Sequence, residues 1–257
     1  MRHLIVVALL FAPMSAFASS HCNFSAPRNL QADLTGVRAV RIEVNSHDLH
    51  LKGVVGTPGL NASGRACASD QSALDGLQIT QRREGDQLLL ELGGNSHSSF
   101  KLLGSSYTYL EITMQLPPNV PVTVNVGSGD ADVTGLQQLQ GQVGSGDLTV
   151  SQLTGKFGAS VGSGDINASD IGSLDLGSVG SGDFNARGIK GDARIGSIGS
   201  GDVDLRDVGG NVHADTLGSG DLKVGNVAGD FSLGAKGSGD VSHSGVKGKL
   251  SVPRDDD

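Results

Sequence analysis

The chain has no tryptophan and only nine other aromatic residues, two tyrosines and seven phenylalanines, in 257 positions. That leaves little from which to build the aromatic platforms of a carbohydrate-cleaving groove. Basic residues are also scarce, 19 Lys and Arg against 27 Asp and Glu, for a net charge of -8. No basic patch of the kind that grips a phosphate backbone stands out, which argues against a nucleic-acid partner. Only Cys22 and Cys67 carry sulfhydryls. They are too far apart for the close C-x-x-C spacing of a redox pair. No segment beyond the first twenty residues approaches membrane-spanning length. No window repeats with a 3.6-residue period, so helices are not expected.

The N-terminus carries a different signal. Arg2 and His3 precede an apolar run over residues 4–11, and Ala16-Phe17-Ala18 supplies a small-x-small pattern. Residues 1–18 therefore read as a signal peptide cleaved between Ala18 and Ser19. Ser20-His21-Cys22 lacks the small-residue pair that a lipoprotein signal places before its cysteine. Losing Arg2 takes the net charge from -8 to about -9. Export, to the periplasm or the outer cell surface, brings the chain to an oxidising compartment, where Cys22 and Cys67 are expected to pair as a staple.

Glycine is abundant, at 40 residues. Without a collagen period, that means many tight turns or disorder. A repeat decides for turns. Gly-Ser-Gly-Asp occurs seven times, with aspartates at Asp130, Asp147, Asp165, Asp183, Asp202, Asp221 and Asp240, at intervals of 17, 18, 18, 19, 19 and 19 residues. After each Asp the chain runs apolar, polar, apolar, as in Leu148-x-Val150, Phe184-x-Ala186 and Val203-x-Leu205. A second apolar-x-apolar pair follows, as in Phe157-x-Ala159, Val212-x-Ala214 and Phe231-x-Leu233, often preceded by a glycine such as Gly191, Gly210 or Gly229. Period-two alternation over a few residues is a short half-buried strand. Each repeat thus holds two strands, whereas a propeller blade needs four strands and about forty residues. The expected fold is all-β: a single-stranded parallel β-helix (a β-solenoid), right-handed by the crossover rule, with coils of 18–19 residues. Glycines are expected to supply positive-φ corners at its turns.

Residues 19–126 read as an irregular β section with early coils, 127–252 as the regular solenoid, and 253–257 as a charged tail. In the irregular section Asn45-Ser46-His47-Asp48 stands where Gly-Ser-Gly-Asp would, followed by the alternating Leu49-His50-Leu51. Glu84-Gly85-Asp86 reads as a hairpin turn. The polar stretches 57–71 and 93–106 read as longer loops.

Two columns invite chemistry. Seven stacked carboxylates repel one another by about 1 kcal/mol per neighbouring pair at the dielectric of water. Two devices relieve that: backbone N–H donors in the turn, or calcium held between coils by carboxylates and carbonyls. The aspartate directly follows glycine and appears once per coil, unlike the twice-per-coil calcium nonapeptide. The reading is therefore turn capping, with calcium as the alternative and no other cofactor. The serine column, Ser128 through Ser238, has no recurring histidine to activate a nucleophile. His21, His47, His50, His97, His213 and His243 show no metal-ligand spacing and read as surface residues.

The run Leu110-Glu111-Ile112-Thr113-Met114-Gln115-Leu116-Pro117-Pro118-Asn119-Val120-Pro121-Val122-Thr123-Val124 leads into the first Gly-Ser-Gly-Asp. That order, with the repeats, resembles the bacterial "putative adhesin" β-strand-repeat family, a domain of unknown function, and is similar to head GIN-type adhesins of bacterial envelopes. The resemblance covers residues 37–252. It implies a β-helix, an extracytoplasmic location and no catalytic residues. The expectation is a non-catalytic envelope protein that presents an extended surface to a glycan or another envelope protein. A calcium-stabilised structural solenoid and a carbohydrate-active β-helix enzyme are the alternatives.

Overall fold

A computed structural model of the chain describes residues 22–94 and 107–253. The leader with its Ala18–Ser19 site, His21, His97, most of the 93–106 stretch and the last four residues of the tail lie outside the described residues.

Among the described residues the chain forms twenty strands and one short helix. β1 (Phe24–Ala32), β2 (Ala39–Asn45), β3 (Asp48–Gly53) and β4 (Leu60–Ala68) precede α1 (Gln71–Gly76). Then come β5 (Ile79–Glu84), β6 (Gln87–Leu92), β7 (Thr108–Leu116), β8 (Val122–Val126), β9 (Asp130–Thr134) and β10 (Leu139–Val143). β11 (Asp147–Val161) and β12 (Asp165–Val179) are followed by β13 (Phe184–Ile189), β14 (Ala193–Ile198), β15 (Val203–Val208) and β16 (Val212–Leu217). β17 (Leu222–Val227), β18 (Phe231–Lys236), β19 (Val241–Val246) and β20 (Leu250–Ser251) complete the set.

Two parallel ladders run the length of a β-solenoid. The strand after each Gly-Ser-Gly-Asp joins a first sheet, β3–β9–β11–β12–β13–β15–β17–β19. The second strand of each coil joins a second sheet, β2–β8–β10–β11–β12–β14–β16–β18–β20. β11 and β12 are long enough to turn the corner and serve both sheets. Register follows the repeat: Leu148, Ile166, Phe184, Val203, Leu222 and Val241 are successive partners. The alternation therefore points every first apolar residue inward, and Leu148, Ile166, Phe184, Val203 and Leu222 are fully buried. Large and small residues are paired within a coil, as in Phe184 with Ala186. Phe157 and Phe184 approach to 6.3 Å between ring centroids, which fills the space that small residues leave.

The early section is the same architecture spliced out of order. β3 pairs with β9 so that Asp48 lies opposite Asp130. Asn45 and His47 offer their carbonyls to the amides of Ser128, Gly129 and Asp130 at 2.8–3.1 Å. The degenerate turn thus occupies the place of a Gly-Ser-Gly-Asp. Yet this first coil is not terminal. β6 and β7, later in the chain, pack parallel on its far side, against β2 and β3.

Beyond them the parallel order ends. β4 runs antiparallel to β7, β1 antiparallel to β4, and β5 antiparallel to β6 through the hairpin at Gly85. Antiparallel strands close the end of a parallel stack, which would otherwise expose its core and a template edge. The stretch 57–71, expected as a loop, is β4 and the start of α1. The expectation of no helix also fails. α1 spans six residues, too short to leave a period in the sequence. It is set by the Asp70 N-cap, whose carboxylate accepts from the Ala73 amide at 3.0 Å, and by burial of Leu74. The Arg28 guanidinium binds the Leu74 carbonyl at 2.6 Å and that of Leu77, pinning the helix to β1. Cys22 and Cys67 are disulfide-bonded, which ties the start of the described chain to β4.

At the opposite end the last described coil is less buried. Leu250 is 47 % exposed, and His243 stands exposed where earlier coils bury Val224 or Leu205.

Candidate functional site

The Gly-Ser-Gly-Asp turns stack directly. From Ser145 to Ser219 the serine amide of the motif donates to a glycine carbonyl of the preceding coil, for example Ser163 to Gly144 at 2.7 Å and Ser200 to Gly180 at 2.8 Å. The second glycine of the motif is required by this stacking. A β-carbon on Gly146, Gly164, Gly182, Gly201 or Gly220 would lie 1.8–1.9 Å from the carbonyl oxygen of the glycine one coil below. None of these glycines has the left-handed backbone that the sequence reading assigned to them. The positive-φ corner falls instead five residues after each Asp, at Gly135, Gln152, Asp170, Gly188, Asp207, Asn226 and Gly245, with φ between 54° and 75°. Asn, Asp and Gly tolerate this region best, and they fill six of the seven positions.

The aspartate column forms a ladder through the backbone. The carboxylate of Asp165 accepts from the amide of Asp183 at 3.0 Å, that of Asp183 from Asp202 at 3.2 Å, and that of Asp202 from Asp221 at 2.9 Å. The cap therefore reaches up to the next coil and is not closed within its own turn. In the shorter early coils Asp147 and Asp165 donate instead to the carbonyls of Gly129 and Gly146, both at 3.2 Å.

A second ladder lies at the opposite turn. Asp192 accepts from the Asn211 amide at 2.7 Å, Asn211 from Asp230 at 2.9 Å, and Asp230 from Lys249 at 2.7 Å. Its signal was present in the sequence as Gly-Asp or Gly-Asn at residues 191–192, 210–211 and 229–230. Each glycine marks the turn, and the acceptor follows it directly.

Titratable groups gather where β7, β3 and β9 meet. The Tyr109 hydroxyl donates to Asp48 at 2.6 Å. Burial, then that hydrogen bond and the surrounding carboxylates, push its phenol well above the usual range. His50 lies 2.9 Å from Asp132 and 3.6 Å from Glu111. His47, expected on the surface, is only 5 % exposed, and its Nδ1 has no hydrogen-bond partner among the described residues. Burial lowers its pKa. No group of three or more His, Cys, Asp or Glu side chains is arranged to hold a metal among the described residues, the column from Asp130 to Asp240 included.

The outward side of the first sheet carries a long shallow groove. Its main part, about 780 Å³, lies over β11 to β15 and is lined by Thr149, Asn167, Ser169, Asn185, Arg187 and Asp204. A second part of about 430 Å³ continues over β17 and β19 past Lys223 and Ser242, and the two meet at Asp204 and Arg206.

Comparison with known proteins places this architecture. The profile of the family described as Toastrack DUF4097 matches residues 38–252. The chain belongs to that family. The Toastrack match spans the out-of-order coils as well as the Gly-Ser-Gly-Asp repeats. No curated protein matches the chain. Among solved structures it is similar to a "putative lipid binding protein" from Parabacteroides distasonis ATCC 8503, at 18% identity and TM-score 0.46, covering 90% of this chain and 98% of that one. It is similar to a "putative adhesin" from Bacteroides fragilis NCTC 9343, at 13% identity and TM-score 0.36, with coverages of 90% and 98%. A "putative cell adhesion protein" from Clostridium sporogenes ATCC 15579 matches at 12% identity and TM-score 0.30, with coverages of 89% and 99%. No helix among the described residues is long and apolar enough to cross a membrane.

Proposed function

We propose that this Toastrack protein is a non-catalytic, exported interaction module of the cell envelope. It acts by presenting the outward face of its first sheet to a partner. One observation carries the reading: that face repeats a register of polar side chains over strand after strand. Thr149, Asn167, Asn185, Asp204, Lys223 and Ser242 are successive lateral partners on it. A solenoid is suited to this, since each coil adds one more copy of the same surface element and contacts add along its length. Export is supported by the Cys22–Cys67 disulfide, which persists in oxidising compartments. The non-catalytic reading is supported by the serine column, in which the Ser238 hydroxyl donates to another serine, Ser219, at 3.3 Å. A nucleophile needs an adjacent base.

Cell fractionation and affinity capture test this reading. The protein is expected in the periplasmic or outer-surface fraction, and immobilised mature protein is expected to retain a defined envelope component. A cytoplasmic location, or no retained component together with no envelope phenotype on deletion, would refute it.

A further inference from the structure

The groove on the first sheet has a chemistry specific enough to name a ligand class. It crosses six strands, β11, β12, β13, β15, β17 and β19, so it is about 24 Å long at about 4.8 Å per strand. It runs across the strands, along the direction in which the coils repeat. The strands beneath it are paired on both sides, as β13 is with β12 and β15. A peptide therefore cannot join by backbone pairing there, which leaves recognition to side chains.

Those side chains are hydroxyls and amides in a row, with a guanidinium near the centre. Thr149, Asn167 and Asn185 are neighbours in one outward column, and Ser169, Arg187 and Arg206 in the next. No aromatic or large aliphatic residue lines the main part of the groove, which speaks against a lipid tail or a stacked base. Asn185 and Asn167 share one long amide contact of 3.4 Å, which leaves donors and acceptors of both amides unused.

Charge then narrows the class. Arg206 is held by Asp204 in a two-pronged pair at 3.0 and 2.7 Å, so it neutralises that carboxylate. The Arg187 side chain, one strand away, has no ion pair or hydrogen bond among the described residues. An exposed, unspent guanidinium fork matches a planar carboxylate. In a chain of net charge -8 it is a cation that an anionic chain can reach beside the amides of Asn167 and Asn185, in a groove that Asp170 also lines.

We infer that this groove binds a linear acidic polysaccharide, with Arg187 taking a sugar carboxylate and Thr149, Asn167 and Asn185 taking ring hydroxyls. A sugar ring is about as long as a coil is thick, so successive rings meet successive strands, and weak contacts multiply along the chain. The inference rests on the interaction-module reading above and gives that module a ligand.

The test uses polygalacturonate as the probe and a neutral glucan of similar length as the comparison, with the mature protein in calorimetry. Polygalacturonate is expected to bind, to weaken with salt, and to outcompete the neutral glucan. Arg187→Ala should weaken it about tenfold or more without moving the melting temperature, and Arg187→Lys should recover part of the loss. Arg194→Ala, on the second sheet, should leave binding unchanged. Equal affinity for the neutral glucan, or full binding by Arg187→Ala, would overturn the inference. So would no binding of polygalacturonate by the wild-type protein. The broader reading would then still stand or fall on envelope capture, which does not depend on Arg187.

Discussion

Gly182→Ala is the substitution that most directly tests how the turns are held. The added β-carbon would sit 1.8 Å from the Gly164 carbonyl oxygen and 2.8 Å from its carbon, whereas real β-carbons stay beyond 3.0 Å. The obstacle is backbone, so no side chain can swing away. The coil must rise locally by about 1.2 Å, the difference between those distances. Two bonds cross the same gap, from the amides of Ser181 and Gly182 to the Gly162 carbonyl at 2.8 and 3.2 Å. A rise of that size takes both out of hydrogen-bonding range. Two lost bonds at about 1 kcal/mol each, with about 1–3 kcal/mol for overpacking, give a loss of about 3–5 kcal/mol. A typical domain has only about 5–15 kcal/mol in total. Gly76→Ala is the matched control, because nothing lies within 4 Å of its added carbon and its φ is not left-handed. That change should be neutral or stabilising by about 0.4–1 kcal/mol. Guanidinium unfolding followed by far-ultraviolet circular dichroism measures both. If Gly182→Ala falls within about 0.5 kcal/mol of the control, steric stacking is not what selects glycine in the motif.

Other predictions follow from the ladders, the buried histidine and the cap. Asp183→Ala removes the acceptor for the Asp202 amide and should cost about 1–2 kcal/mol in the same assay. Asp183→Asn keeps an acceptor oxygen and should cost less than half of that. Calcium at millimolar concentration should leave the melting temperature unchanged, since the ladder carboxylates already serve the backbone; a rise of several degrees would restore a metal to the column. Burial depresses the His47 pKa, so the unfolded chain takes up a proton below about pH 6.5 before the folded one does. The stability due to His47 is therefore complete above pH 6.5 and falls as pH drops through and below that value. Unfolding curves between pH 7.5 and 5 should show this fall in the wild type and a shallower one in His47→Asn. Reduction of Cys22–Cys67, 45 residues apart, should cost about 4 kcal/mol on the chain-entropy model. Hydrogen exchange should then quicken in β1 and β4 and not in β13 to β18.

The regular coils were legible because each inward residue answers to a period of two inside a period of about nineteen. Phe157, Phe184 and Phe231 were expected inward, and all are fully buried. The degenerate turn at Asn45 to Asp48 was legible for the same reason. The cap was not. β1 and β4 lie edge to edge in antiparallel order, and β4 was hidden in a polar stretch because its outward positions, Asn61, Ser63 and Arg65, mask the buried Leu60, Ala62 and Ala66. The out-of-order packing of β6 and β7 leaves no mark in composition, since any parallel strand pair with matching inward residues satisfies the pattern. Glycine was read correctly as turn material but for the wrong cause. Conformational freedom and close approach select the same residue, and a sequence does not distinguish them. The groove was illegible because its residues, Asn167, Asn185 and Arg187, occupy the variable outward slots where the repeat imposes nothing.

The out-of-order N-terminal coils make this an architecture whose length can change at one end and not at the other. Beyond β9 each coil touches only the coil before it and the coil after it. Excising residues 184–202 would join Asp183 to Val203 and restore Gly-Ser-Gly-Asp-Val with every column in phase, giving a protein one unit shorter. The coil of β2 and β3 permits no such excision. Its neighbours on both sides are supplied by later stretches of chain, so removing it would strand β6 and β7 from β8 and β9. Deletions and duplications of whole units should therefore be tolerated after residue 147 and lethal to the fold before residue 116.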